Sequence, residues 1–132
     1  MPALRSFDYA VFRIVPRAER EEFVNAGVVL FCLELDFLEV RIELDRARVR
    51  ALFPGADLAL IEDHLNSARI IATGGEGSGP IGKLSIRERF HWLVAPRSTV
   101  LQVSAVHTGL CETPERAIEQ LMTSMVRPLT GS

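Results

Sequence analysis

At 132 residues, with 48% hydrophobic and 24% charged side chains, the chain has the size and balance of one folded domain, which excludes a disordered tail, a collagen-like rod and a coiled coil. A formal net charge of -2 leaves no excess of basic residues to neutralise a polyphosphate backbone, so nucleic-acid binding is not expected. No stretch approaches the ~20 apolar residues that span a bilayer, the N-terminus lacks a signal-peptide pattern, and the two cysteines, Cys32 and Cys111, are too few for a disulfide framework; the expected location is the cytoplasm.

The first predicted element is a strand over Phe7 to Val15, with Phe7, Tyr9 and Val11 on one face and Ala10, Phe12 and Ile14 on the other, so both faces should be covered. Pro16 ends it, and Arg17 to Val24 reads as a polar turn or short helix. The apolar run Gly27 to Leu33 predicts a central strand. Phe37 to Leu44 alternates, with Leu38, Val40, Ile42 and Leu44 inward and Glu39, Arg41 and Glu43 outward. The short connection between these two strands predicts an antiparallel hairpin.

The period then changes. Asp45 is placed to cap a short helix over Arg46 to Phe53, which Pro54-Gly55 stops. Over Asp57 to Ala72, Leu58, Ile61, Leu65, Ala68 and Ala72 recur at spacings of three and four, the stripe of an amphipathic helix. Positions 74–82 hold five glycines and a proline and predict a flexible loop. Ser85 and Glu88 form a capping box for a helix that ends at Pro96. Val100 to Val106 returns to strand, and Thr113-Pro114 opens a last helix whose apolar face runs through Ala117, Ile118, Leu121, Met122, Met125 and Val126. The expected fold is one α+β domain over residues 1–132, a small antiparallel or mixed sheet of about four strands packed with three or four helices.

Few patterns carry chemistry. Gly77 to Lys83 fits G-x-x-x-x-G-K, but Leu84 stands where Ser or Thr should hold magnesium and a helix precedes the loop, so the match reads as a plain glycine loop. His91, His107 and Cys111 are too few for a structural zinc, and neither metal nor cofactor is expected. Cys111 as a nucleophile would need His107, four residues away, as its base; the simpler reading is loop packing, with Cys111 buried beside the last helix.

More informative are polar residues that interrupt apolar segments: Arg13, Glu22, Asn25, Arg97, Ser98 and Thr99, expected to gather at one end of the sheet. Two readings stay open. In the structural one, Glu22 pairs with Arg13 or Arg97, Asn25 leads the backbone into Gly27, and Ser98 or Thr99 closes a turn. In the functional one, Arg13, Arg17 and Arg97 hold a phosphate or carboxylate with help from Ser98 and Thr99, and His107 serves as acid or base.

The same residues carry a resemblance. Tyr9-Ala-Val-Phe-Arg13-Ile-Val-Pro16 and Arg20-Glu-Glu22-Phe-Val-Asn25-Ala-Gly27-Val-Val-Leu30 resemble the opening signature of the bacterial family called domain of unknown function 3037. Phe90-His-Trp92-Leu, Ala95-Pro-Arg97-Ser98-Thr99-Val-Leu-Gln102 and Val106-His107-Thr108-Gly109-Leu110-Cys111 resemble its second signature, so that nearly the whole chain is covered. Gln102 joins the candidate ligand or interface residues on this ground.

The resemblance implies a small cytoplasmic bacterial protein without assigned activity, often encoded beside a kinase-like protein of the HipA group. The leading expectation is therefore a non-enzymatic partner module, plausibly of that kinase. The alternatives are a phosphate- or nucleotide-ligand binding protein or small enzyme acting on nucleotides or nucleic acid, and a homodimer formed through the hairpin edge.

Overall fold

A computed structural model describes residues 3–97 and 99–129. Five strands form one antiparallel sheet: β1 (Arg5–Ile14), β2 (Val24–Cys32), β3 (Phe37–Ile42), β4 (Leu101–Val103) and β5 (His107–Cys111). β1 is its spine. It pairs with β2 on one side, β2 pairs with β3, and β4 and β5 line up one after the other along the opposite side of β1.

The alternation along β1 decides which residues meet which layer. Ala10, Phe12 and Ile14 enter the larger core, where they meet α1 (Arg46–Leu52), α2 (Leu58–Thr73) and α3 (Ile86–Leu93). Phe7 and Tyr9 turn to the smaller core, built against α4 (Pro114–Leu121) and the π-helical turn Met122–Val126 that extends it. The result is helices on both faces of one sheet. Fully buried residues such as Phe12, Leu65 and Ile118 each stabilise it by about 1.5–3 kcal/mol relative to exposure.

Local signals explain the helix boundaries. The Asp45 and Asp57 carboxylates accept hydrogen bonds from the Arg48 and Leu60 amides, both at 3.1 Å, so each satisfies a first-turn donor. Ser85 and Glu88 close the expected capping box. α2 ends at Gly74 with φ of 73°, where Arg89 of α3 donates to the carbonyls of Ile71 (3.1 Å) and Ala72 (2.7 Å). A Cβ at Gly74 would lie 2.5 Å from that guanidinium, so the left-handed turn and the arginine cap require glycine together.

Several expectations change. The strand expected over Val100 to Val106 covers only Leu101–Val103; the ladder breaks at Ser104 and resumes as β5. Thr113 holds the N-cap position of α4 without a side-chain cap bond, leaving Pro114 to set the first turn. Met125 was placed on the apolar face but is exposed, because the π turn adds a residue per turn and rotates it outward while Val126 stays buried. The G-x-x-x-x-G-K string follows α2 and folds Ile81–Lys83 as a 3-10 turn, so it has no strand-to-helix context for phosphate.

Candidate functional site

A β-bulge in the β1–β2 ladder shapes the first candidate region. Phe12 faces Gly27 while Arg13 faces Asn25, which leaves Ala26 as the extra residue. A Cβ at Gly27 would come within 2.6 Å of the Arg41 carbonyl on β3, so the bulge demands glycine there. On its other side Arg13 faces Gln102 of β4. Arg13, Asn25 and Gln102 thus project from neighbouring strands on the α4 side of the sheet.

The surrounding contacts fix this cluster. The Arg13 guanidinium lies 4.3 Å above the ring of Phe23, and Asn25 Nδ2 donates to the Met125 carbonyl at 2.8 Å. Gln102 Nε2 donates to the Thr99 carbonyl at 3.2 Å, and the Thr99 hydroxyl donates to the Leu101 carbonyl at 2.9 Å. Arg13 Nε and Asn25 Oδ1 are both enclosed, and neither has a hydrogen-bond partner among the described residues.

Other candidates go elsewhere. Arg17 pairs with Glu19 at 2.6 Å, and Glu22 pairs with Arg20 instead of Arg13 or Arg97, since two residues of exposed turn bring them together first. Arg97 stacks 4.8 Å over Trp92 and donates to the Trp92 carbonyl at 3.2 Å, which ties it to α3 on the opposite side of the sheet from Arg13. Burial pushes its guanidinium below the ordinary arginine pKa. Ser98 lies outside the described residues. His107 sits beside Tyr9, ring centroids 5.4 Å apart, on the Arg13 face but four β1 residues along, about 13 Å by strand rise. The three-arginine pocket is therefore not assembled; Arg13 keeps company with two amides and an aromatic ring.

The second region is the free edge of β5. Five residues, His107 to Cys111, pair only with β1 among the described residues, and none carries a formal charge with histidine neutral. Leu110 is 65% exposed, with Leu4 and Val106 exposed nearby in the chain order of the paired strands. Phe7 lies against Gly109, where an added Cβ would approach its ring to 2.7 Å, so the ring substitutes for the side chain that glycine lacks. Between β5 and α4 runs an open groove of about 540 Å³, lined by the apolar Leu4, Phe7, Leu110, Cys111, Ala117 and Leu121 and by the polar Glu112, Thr113, Arg116, Gln120 and Ser124.

Cys111 lies in the floor of that groove within β5, not in a loop, and burial raises its thiol pKa. It is thus protonated at neutral pH and a poor nucleophile. Among the described residues no group of three His, Cys, Asp or Glu could hold a metal ion, and no helix is long and apolar enough to cross a membrane.

Ser104 was missed by sequence reasoning. Its backbone donates to the Val11 carbonyl at 2.9 Å, and its buried hydroxyl accepts from the Val11 amide at 2.9 Å while donating to the Ala105 carbonyl. One side chain thereby replaces the ladder bond lost between β4 and β5. A lone serine in an apolar run gives little warning of this.

The family model described as "Protein of unknown function (DUF3037)" matches residues 9–126, from β1 through the π turn. The chain belongs to the DUF3037 family. No curated protein and no solved structure matches it. Both the bulge cluster and the β5 edge lie within the span that defines DUF3037, whereas Leu4 lies before it.

Proposed function

We propose that this DUF3037 domain is a non-enzymatic partner module that docks on a second protein through the β5 edge. The observation that carries the reading is the pairing of an uncharged free strand with an open groove at its flank, whose lining mixes apolar and polar side chains. Edge strands are normally guarded by charge, proline or a covering element. β3, the opposite edge, carries Glu39 and Arg41; β5 has neither charge nor proline.

The mode that fits is addition of a partner strand to β5, with an apolar side chain entering the groove between Phe7 and Leu121. Backbone hydrogen bonds would supply affinity and the groove selectivity. The kinase of the HipA group implied by the family resemblance is the proposed partner.

Size-exclusion chromatography of the two purified proteins at micromolar concentration tests this. Co-elution is expected, and Leu110→Asp should weaken association about tenfold or more without unfolding a residue that is already exposed. Separate elution of the wild-type pair, or unchanged co-elution of the variant, contradicts the reading.

A further inference from the structure

β5 lies at the margin of the sheet, with β1 as its only strand neighbour among the described residues. Its two sides differ. The Thr108 hydroxyl donates to the Asp8 carboxylate at 2.9 Å, so Thr108 and Leu110, two positions on, share the Asp8 side of the strand. Leu110 is 65% exposed there, and Val106, just before the strand, is 44% exposed. On the opposite side Gly109 has no side chain and is covered by the ring of its own Phe7. Large apolar side chains left open beside unpaired backbone are what a covering strand removes from water.

These residues fit a second copy of the same strand. Two β5 strands set antiparallel about a two-fold axis at Gly109 place His107 across from Cys111, Thr108 across from Leu110 and Gly109 across from Gly109. Leu110 of each copy then lies diagonally beside Leu110 of the other, so the two exposed leucines cover each other across the axis. Glycine against glycine puts no side chains in opposition at the centre. Charge is compatible as well: His107 to Cys111 carry none with histidine neutral, and Glu112, the first charged residue beyond them, falls across from Val106 instead of from its own copy. The hairpin edge offers no such match, because Arg41 of β3 is already bound to Glu39 and Glu119.

We propose that β5 pairs with β5 of a second copy of this chain in that register, which joins the two sheets into one. Five strand residues per copy fall well short of the roughly 20–30 residues a side of a standard interface, so the pairing is weak and reversible. The inference rests on the docking account and deepens it. An edge held by a second copy is closed to a partner strand, so self-pairing regulates access to the same site.

Sedimentation velocity of the full chain from about 1 to about 500 µM, the range of weak complexes, tests this. The average mass should climb from monomer toward dimer, and Leu110→Asp should stay monomeric because it brings two aspartates together at the axis. Register is read by mild oxidation of an equimolar mixture of Thr108→Cys and Leu110→Cys chains. Mass spectrometry should find the mixed covalent dimer at well over twice the yield of either covalent homodimer, since only residues directly across from one another come within disulfide reach. A monomer throughout the range, or a mixed dimer at only the random twofold yield, overturns the pairing. Adding the HipA-group kinase separates this inference from the docking account. Replacement of the dimer by a one-to-one complex supports both, a chain that is always monomeric yet binds the kinase sinks the pairing alone, and a dimer that the kinase leaves intact sinks the docking account and the regulatory role with it.

Discussion

Ser104 and Val11 are joined by two hydrogen bonds of 2.9 Å, one through the backbone and one through the serine hydroxyl. Removing the hydroxyl leaves the Val11 amide buried and unpaired at the break between β4 and β5. Ser104→Ala should therefore lower unfolding free energy by about 1–3 kcal/mol, read from urea denaturation as a lower midpoint with an unchanged slope. Cys111 makes a second test at this scale. Because burial raises its pKa, iodoacetamide should modify it far more slowly in the native protein than in urea, as followed by mass spectrometry. The sign of the linkage also follows: the unfolded thiol loses its proton first, so stability is complete below the unfolded pKa and declines as pH rises through the folded one. Rapid native alkylation would show a thiolate and reopen nucleophilic chemistry.

Between elements, charge pairs fasten the α4 layer to the hairpin. Glu119 on α4 accepts from Arg41 of β3 at 2.7 Å and from Arg127 at 2.5 Å, while Arg127 also reaches Glu43 at 3.2 Å. The Arg127 hydrogen bond, ahead of the one from Arg41, holds the Glu119 carboxyl below its ordinary pKa. Its contribution is present above the unfolded glutamate value and is lost as pH falls through the depressed folded value. Protection against hydrogen exchange over residues 114–127, taken relative to the intrinsic rate at each pH, should fall below about pH 4, and Glu119→Gln should remove that acid step. The pair is solvent-exposed, so global stability should change little.

The element scale also shows what could be read from the chain. The alternation of Phe7 to Ile14, the spacing of α2 and the Ser85–Glu88 box were legible because local periodicity and capping chemistry coincide with the final packing. β5 was not legible: Gly109 weakens its strand signal, and only the ring of Phe7, about a hundred positions away, makes up for it. Arg13 and Asn25 were visible as polar interruptions, but their pairing arises from the bulge. Glu22 and Arg97 were assigned to the cluster from sequence alone, whereas short-range contacts to Arg20 and Trp92 claim them.

At the scale of the whole molecule, the two faces of the sheet have different roles. α1, α2 and α3 cover one face with the larger core, whereas α4 and the π turn cover the other beside β5 and leave the Arg13 cluster half-buried. Both faces are covered by buried cores, yet the β5 edge carries no charge, which is the property the docking account depends on. Hydrogen–deuterium exchange of this DUF3037 domain, alone and mixed with the HipA-group kinase, measures that edge directly. The account predicts slower exchange concentrated in residues 106–112 and the groove side of α4, with β3 unchanged. Protection confined to β3 or to the α2–α3 layer, or no protection at concentrations where the two proteins are fully mixed, would contradict it.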